Sequence, residues 1–276
     1  MSLKSIIKKI IMQTKKREIV PIQHNVDNSN MLQDKVAVII GGSGGIGLSI
    51  AKSFYESGCK IVLCGTNEKK LKKCMDEFSE VNRIRYMVFD VSDFEKIEAN
   101  VKKTVKLFGT VDILVNSAGV HTEKADFLNM TLSEYDRVMN INIKGPYFLS
   151  IAFGKYMISK NIKGHILLVS SSRGSEPAWS PYGISKWSLN GLTKGLAQML
   201  LPYGIVVNGV APGSTATELL GVKEGDSIYT TENRVQRLIM PDEVANVAKI
   251  LVSSAGDMIV GEIIHISGGR GILDIR

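Results

Sequence analysis

A tyrosine and a lysine are spaced so that they could move a proton to or from a substrate oxygen. Tyr182 and Lys186 lie four residues apart in a stretch with helical periodicity, residues 181–201, so both side chains fall on one face of the predicted helix. A nearby ammonium group favours the tyrosinate and lowers a tyrosine pKa from its usual value of about 10. A phenol of this kind can exchange a proton with a carbonyl or alcohol oxygen near neutral pH, so the pair predicts acid/base chemistry at Tyr182.

Alternating strands and helices must position this pair. The predicted strands are short apolar runs, typical of strands buried on both faces of a parallel sheet. They cover residues 36–40, 60–64, 84–89, 111–115, 164–169, 205–210 and 262–266. Between them lie about six helical stretches, one directly after the first strand and the others near 68–79, 93–108, 131–159, 181–201 and 241–253. The pattern predicts an α/β protein with one doubly wound, seven-stranded parallel sheet, and it contains no internal repeat.

A glycine-rich turn links the first strand to the first helix. The turn reads Gly41-Gly42-Ser43-Gly44-Gly45-Ile46-Gly47. Small residues let the backbone approach a pyrophosphate, whose charge then meets the free N–H groups at the helix N-terminus. Strand, turn, helix and second strand follow within about 30 residues, the context in which such glycines bind a dinucleotide. We therefore expect this turn to bind the phosphates of a dinucleotide cofactor.

The end of the second strand bears on which dinucleotide binds. An NAD-binding unit places Asp or Glu about 20 residues beyond the glycines, where it binds the ribose 2′-hydroxyl. Here the sequence reads Gly65-Thr66-Asn67, without an acid. A carboxylate would repel a 2′-phosphate, whereas Thr66 and Asn67 can hydrogen-bond one, and Lys69 is near. The sequence favours NADP, with NAD as the alternative.

Small and polar residues follow the next four strands, at the sheet edge where such folds bind ligands. These residues are Asp90-Val91, Asn116-Ser117-Ala118-Gly119, Ser170-Ser171-Ser172 and Pro212-Gly213. With the glycine turn, Asn142 in Asn140-Ile141-Asn142-Ile143-Lys144-Gly145, and the Tyr182–Lys186 pair, they occur in the order of the motifs of a known family. Over about residues 33–270 the chain resembles the short-chain dehydrogenases/reductases, which implies a single-domain Rossmann fold.

The resemblance implies a role for each matching residue. Tyr182 would be the general acid/base, Lys186 would bind the nicotinamide ribose and tune Tyr182, and Ser171 would hydrogen-bond the substrate oxygen. Asn142 would support a water-linked proton relay behind Lys186. Asp90 would bind the adenine, Asn116, Ala118 and Gly119 would lie along the cofactor, and Thr215 and Thr217 would lie near the nicotinamide. Further cofactor contacts are implied for Val91, Pro212 and Gly213. The three adjacent serines leave Ser170 open as an alternative, and Ser171 is preferred because Gly174 then follows three residues later, as in the family pattern.

Composition and charge exclude other classes of protein. With 44% hydrophobic and 22% charged residues among 276, the chain is neither disordered nor fibrous. Residues 1–20 hold six bases and one acid, so five of the seven net positive charges lie there and no nucleic-acid-binding face is predicted. No run reaches the roughly 18–20 apolar residues of a membrane span. The three cysteines, Cys59, Cys64 and Cys74, do not have the spacing of metal ligands, so no metal site is predicted. We expect them to be buried, reduced thiols, which indicates a cytoplasmic location.

The N-terminal residues 1–32 read as an extension and linker, and residues 33–276 as the Rossmann-type domain. Residues 3–11 place Leu and Ile at helical spacing with lysines mostly on the other side. Such a basic amphipathic helix can contact an anionic membrane surface. The favoured interpretation is a helix that packs against this subunit or a neighbour, or that simply frays, since terminal extensions are often poorly ordered.

The sequence therefore predicts an NAD(P)-dependent oxidoreductase that interconverts a small-molecule ketone and a secondary alcohol. Within the family it looks most like the branch of 3-oxoacyl-[acyl-carrier-protein] reductases and sugar or polyol dehydrogenases. The resemblance also implies a homotetramer built through residues 131–159 and 181–201. A non-catalytic dinucleotide-binding sensor or scaffold is the alternative from another class, although such proteins typically lose the Tyr or Lys that is present here. His121 and Glu123 are candidates to line the substrate mouth, with a solvated loop position as the favoured interpretation. Trp179 either walls the substrate pocket or packs structurally.

Overall fold

Seven parallel strands form one sheet in the order β3-β2-β1-β4-β5-β6-β7. The computed structural model describes residues 30–123, 126–223 and 226–273. The strands are β1 (Val36–Ile40), β2 (Lys60–Gly65), β3 (Ile84–Val88), β4 (Ile113–Asn116), β5 (His165–Val169), β6 (Val206–Pro212) and β7 (Ile263–Ile266). The doubly wound Rossmann sheet predicted from the sequence is confirmed, and most strand bounds agree with the prediction within a residue or two.

Seven α-helices connect these strands in the described ranges. They are α1 (Gly45–Glu56), α2 (Glu68–Met75), α3 (Ile97–Phe108), α4 (Leu132–Met139), α5 (Gly145–Ser159), α6 (Pro181–Leu200) and α7 (Pro241–Leu251). The helical stretch predicted near residues 131–159 is present, and a π-helical turn, Asn140–Lys144, lies within it between α4 and α5. A π turn inserts an extra residue into the helical repeat and is frequent at functional sites. Apolar periodicity alone does not reveal it.

Each face of the sheet carries its own hydrophobic core. In β1, Ala37 and Ile39 pack on the side of α1, α2 and α7, whereas Val36, Val38 and Ile40 pack on the side of α3, α5 and α6. All five residues are at most 2% exposed, as expected for a strand buried on both faces. The three cysteines are free and buried, as predicted.

The strand order reverses beside β1, which pairs with β2 on one side and β4 on the other. The connections after β1 and β4 therefore leave the sheet towards opposite faces and open a crevice at its carboxyl edge. The amide of Ser117 donates to the carbonyl of Ile40 at 2.9 Å and keeps the two strand ends together below this crevice.

The predicted amphipathic segment, residues 3–11, lies outside the described residues. Within the described ranges, none of the helices has the length and apolar character needed to cross a bilayer. The same part of the chain contains no group of three His, Cys, Asp or Glu side chains that could hold a metal ion.

Candidate active site

Two adjoining cavities lie at the carboxyl edge of the sheet. The first, called the long cleft, has a volume of about 780 Å³ and runs over the ends of β1, β2, β3 and β4. The second, called the side pocket, has a volume of about 440 Å³ and lies over the ends of β5 and β6. Tyr182 lines both cavities, so its side chain stands where their contents would meet.

The glycine turn forms one wall of the long cleft. Gly41 has φ +75°, and a Cβ there would lie 2.7 Å from the amide nitrogen of Ala118, so the turn packs directly against the loop after β4. A Cβ at Gly47 would collide with the carbonyl oxygen of Gly41. No side chain caps the N-terminus of α1, and its first turn contains no acid. This uncapped N-terminus suits an anionic pyrophosphate, so the residues present fit a dinucleotide.

Most predicted cofactor residues line one of the two cavities. Those in the long cleft are Gly41, Ser43, Gly44, Gly45, Ile46, Gly47, Thr66, Asp90, Val91, Ala118, Gly119, Tyr182 and Lys186. Pro212, Gly213 and Thr215 line the side pocket, and Thr217 lines both. Asn116 is buried below the cleft, where its side-chain oxygen accepts a hydrogen bond from the amide of Ala118 at 3.3 Å. The next residue, Ser117, lines the cleft instead.

Helix α6 begins where its sequence predicts. The side chain of Ser180 caps the helix by accepting from the amide of Gly183 at 3.2 Å, and Pro181 occupies the first turn. Tyr182 therefore lies in the first turn of α6 and Lys186 one turn further along, with its Nζ 5.6 Å from the centre of the Tyr182 ring.

The structure separates the two candidate serines. The hydroxyl of Ser171 hydrogen-bonds with the Tyr182 side chain. The hydroxyl of Ser170 turns to α6, where it donates to Asn190 Oδ1 at 2.5 Å and to the Lys186 carbonyl at 3.3 Å. Ser171 is thus the serine that shares a hydrogen bond with the tyrosine, and Ser170 ties β5 to the helix.

Asn142 connects the π-helical turn to the loop after β4. Its side chain is 1% exposed, accepts from the amide of Val120 at 2.9 Å and donates to the Val120 carbonyl at 2.9 Å. It also donates to the hydroxyl of Ser185 in α6 at 3.1 Å. Lys186 Nζ donates to the Val169 carbonyl at the end of β5, at 3.0 Å. A Cβ at Gly119 would lie 3.4 Å from Lys186 Nζ and 3.5 Å from Asn142 Oδ1, so both side chains reach the same loop.

The predicted lowering of the Tyr182 pKa is wrong. Burial raises this pKa, and the Ser171 hydrogen bond and the positive charges of Arg173 and Arg270 only partly oppose the increase. Burial also lowers the pKa of Lys186 to about 8. The Lys186 ammonium is directed at a backbone carbonyl rather than at the phenol, so desolvation outweighs the expected attraction between the two groups.

His121 lies inside the site, which overturns its expected place in a solvated loop. Its ring stacks on that of Tyr182, with centroids 4.2 Å apart and an angle of 27° between the planes. Burial lowers the pKa of His121, as do the positive charges of Lys186 and Arg173. Its carbonyl accepts from Arg137 at 2.7 Å, which fixes the loop. Trp179 lines the side pocket and is 54% exposed, so it walls the pocket rather than packing in the core.

Sequence reasoning missed two charged groups at the site. Lys70, rather than Lys69, lines the long cleft, where it pairs with Glu218 at 2.6 Å. The side chain of Asn67 caps α2 by accepting from the amide of Lys70. Arg270 lines the side pocket from the C-terminal part of the described chain. Spacing along the sequence gives no signal for either contact, because each joins residues far apart in the chain.

Comparison with known proteins places this geometry in a family. Residues 35–226 match the model of the short chain dehydrogenase family. The 3α-hydroxysteroid dehydrogenase of Mediterraneibacter gnavus is 31% identical over 246 residues, 86% of this chain and 97% of that protein. The 3-oxoacyl-[acyl-carrier-protein] reductase FabG of Aquifex aeolicus is 32% identical over 244 residues, 86% of this chain and 98% of that protein.

A solved structure agrees with the sequence comparisons. The structure of ElxO with NADP bound superposes with a TM-score of 0.78 at 31% identity, covering 86% of this chain and 99% of that one. Together with the cleft over the glycine turn and the tyrosine at its end, these matches show that the chain belongs to the short-chain dehydrogenase/reductase family and is an NAD(P)-dependent oxidoreductase.

Proposed function

We propose that the protein interconverts a ketone and a secondary alcohol, with Tyr182 exchanging the proton. The observation that carries this proposal is the position of Tyr182 at the wall between the two cavities, hydrogen-bonded to Ser171. A dinucleotide in the long cleft would reach the substrate beside this residue. When bound, the nicotinamide supplies the hydride.

The protein supplies the proton and the position of the substrate. In the reducing direction, Tyr182 Oη donates its proton to the carbonyl oxygen, and the Ser171 hydroxyl donates a hydrogen bond to the same oxygen. A raised pKa keeps Tyr182 protonated for this step. Lys186 carries a positive charge below its pKa of about 8, and that charge favours the tyrosinate left after the transfer. Asn142 holds the loop at Val120 and the helix at Ser185 in register.

NADP is the preferred cofactor in this proposal. Thr66 and Lys70 line the end of the long cleft beyond β2, where a ribose 2′-phosphate would lie. The ammonium of Lys70 is paired there with Glu218, a carboxylate that a 2′-phosphate would compete with. The ammonium of Lys70 would neutralise part of the charge of the 2′-phosphate, which supports NADP, and NAD remains the alternative.

A 3-oxoacyl thioester is the substrate class that we favour. Apolar residues of the side pocket include Trp179, Leu219 and Leu220. These side chains suit an acyl chain attached to the ketone, as in the substrates named for 3-oxoacyl-[acyl-carrier-protein] reductase relatives. The pocket is also lined by the polar residues Arg173, Ser214 and Arg270, which keeps a sugar or polyol as the second candidate.

Calorimetric titration with NADPH and NADH, followed by a panel of ketones, tests this function. We expect NADPH to bind at least tenfold more tightly than NADH, and Lys70→Ala to reduce that preference while Lys69→Ala leaves it unchanged. Oxidation of NADPH with 3-oxobutanoyl thioesters would support the acyl substrate, and oxidation with keto sugars only would support the second candidate. Binding of the cofactor without turnover of any ketone would favour a sensor or scaffold. Failure to bind either cofactor would refute the proposal.

Assembly and location are also proposals. A homotetramer built through residues 131–159 and 181–201 is supported by exposed aromatic side chains on those stretches, Tyr147 and Phe148 on α5 and Trp187 on α6. Light scattering coupled to size exclusion measures the assembly, and a monomeric mass would refute it.

A cytoplasmic location is supported by three buried free thiols. We also propose that residues 1–32 form an extension and linker and 33–276 the catalytic domain.

A further inference from the structure

The side pocket contains a charged cluster that proton transfer at Tyr182 does not require. Arg173, Glu176, Ser214, Glu232 and Arg270 are joined by hydrogen bonds and ion pairs. Four of the five also line the pocket that contains Tyr182 and Ser171. Both guanidinium groups act on the Tyr182 side chain through their charge, so the cluster lies close enough to influence the reacting centre.

Arg270 is held rigidly within this cluster. Its side chain is 15% exposed, and its Nε donates to Glu176 at 2.8 Å; the Glu176 side chain is 17% exposed. The hydroxyl of Ser267 donates to the Arg270 carbonyl at 2.7 Å. A Cβ at Gly271 would lie 2.8 Å from the Ser172 carbonyl, so the turn is packed against the loop after β5. The guanidinium is therefore fixed before any ligand arrives.

The other edge of the Arg270 guanidinium contacts Ser214 and the half-exposed side chain of Glu232. Nη1 of Arg270 donates to Ser214 Oγ at 3.2 Å and pairs with the carboxylate of Glu232. Ser214 also donates to Glu232. The Glu232 side chain is 49% exposed, in contrast to the Glu176 side chain on the other edge. The carboxylate of Glu232 thus marks an anion position formed by Arg270 and Ser214.

Glu232 lies on a loop that crosses the pocket. The loop is closed at its base by a bridge between Tyr229 and Arg237 and by a 2.7 Å hydrogen bond from Leu238 to Ile228. Near its tip, the amide of Arg234 contacts the carbonyl of Gly268 at 3.3 Å. The Glu232 side chain is 49% exposed, so rotation of this side chain alone would withdraw its carboxylate and leave the loop backbone in place.

The charge balance indicates what replaces Glu232. The cluster has two guanidinium groups and two carboxylates, and Glu176 is shared by both arginines. Withdrawal of Glu232 leaves one positive charge, which a monoanion neutralises and a phosphate dianion would exceed. A carboxylate has the same geometry as the group that it displaces, and it can accept from Arg270 and Ser214 together.

We propose that Arg270 and Ser214 bind a carboxylate carried by the substrate itself, and that Glu232 occupies this position until the substrate displaces it. This inference rests on the proposed ketone reduction in the same pocket. Among the ketones of the proposed function, it favours oxo acids and oxoacyl compounds that carry a further carboxylate over ketones without one.

A matched series of acids and esters tests the proposal. The probes are 4-oxopentanoate, 5-oxohexanoate and 6-oxoheptanoate, each beside its methyl ester, which has the same ketone without the charge. The readout is the ratio of kcat/KM for acid over ester. Arg270→Gln is expected to lower this ratio by about tenfold to a hundredfold for the acid of best-fitting length, the range of a charge-assisted hydrogen bond. Ser214→Ala is expected to lower it severalfold.

The opposite effect is expected when the internal carboxylate is removed. Glu232→Gln should raise the ratio severalfold, because the substrate no longer competes with a charged side chain, and a misfolded variant would not show such a gain. Glu95→Gln, an exposed acid far along the chain, is the matched control and should leave the ratio unchanged. A ratio that is the same in Arg270→Gln, Glu232→Gln and wild type would overturn the proposal.

Failure of the proposed function gives a different result. If no ketone is reduced, calorimetric titration of the same acids and esters still reports on the site. Binding of an acid but not its ester, lost in Arg270→Gln and strengthened in Glu232→Gln, would support the carboxylate site without the reaction. Equal binding of acid and ester, or no binding of either, would refute it.

Discussion

Replacement of Lys186 by methionine should stabilise the fold at neutral pH while it abolishes turnover. The side chain is 5% exposed, and its burial lowers the pKa from 10.5 in a model peptide to about 8. Below pH 8 the folded protein therefore keeps a charge that would be better solvated in the unfolded chain. Methionine fills a similar volume and removes that charge, although it also removes the hydrogen bond to the Val169 carbonyl.

The size of the effect follows from linkage. The unfolded chain holds the Lys186 proton up to about pH 10.5, and the folded protein releases it near pH 8. Between these values the unfolded state binds more protons, so the stability of the wild type rises with pH. Each unit by which the pKa is lowered corresponds to about 1.36 kcal/mol. The buried charge of Lys186 therefore lowers the free energy of unfolding by about 3 kcal/mol at pH 7, and most of this loss disappears by pH 10.

Denaturant unfolding of wild type and Lys186→Met at pH 7 and pH 10 measures this effect. We expect the free energy of unfolding of the variant, relative to wild type, to fall by about 2 to 3 kcal/mol between the two pH values. Lys102→Met, at an exposed position on α3, is the control and should show no such change. A difference between variant and wild type that does not change with pH would refute the claim that burial, rather than an ionic partner, sets the state of Lys186.

Three further tests, using five substitutions, probe the geometry of the site. Gly41→Ala and Gly109→Ala both impose a Cβ at positive φ, at a cost of about 1 kcal/mol, but only Gly41 meets neighbouring backbone at 2.7 Å. Gly41→Ala should therefore weaken NADPH binding in a titration, and an equal affinity in both variants would contradict the cleft described above. Asn142→Ala leaves buried backbone groups unpaired, so chemical unfolding should show a loss of about 2 to 4 kcal/mol, and a loss below 1 kcal/mol would be inconsistent with its three hydrogen bonds. Steady-state kinetics should show about a hundredfold lower kcat in Ser171→Ala and less than a tenfold change in Ser170→Ala, and the reverse order would exchange their roles.

The fold was predictable because its central strands are buried on both faces. Such strands read as unbroken apolar runs, and β1 matches its predicted bounds, Val36–Ile40. The place of the site was also predictable, because parallel strands bring their carboxyl ends, and the residues that follow them, to one edge of the sheet. The π-helical turn within residues 131–159 was not predictable, because apolar periodicity does not distinguish it from an α-helix and the contacts of its Asn142 side chain join a distant loop.

Quantities set by burial were the least predictable. The spacing of Tyr182 and Lys186 indicated proximity, but the direction of the tyrosine pKa depends on desolvation, which spacing does not reveal. His121 lies two residues after Gly119, and this position was a usable signal for its place at the site, although not for its stacking on Tyr182. Arg270 reaches Glu176 across 94 residues of sequence, and only the packed structure brings the two together.

Comparison of the wild type with Tyr182→Phe tests the central claim most directly. The phenyl ring retains the shape of the side chain and removes the hydroxyl that shares a hydrogen bond with Ser171. We expect the variant to bind NADPH with an affinity within threefold of wild type, and ketone-dependent NADPH oxidation to fall by at least a thousandfold. Unchanged turnover in the variant would show that another group supplies the proton and would contradict the account.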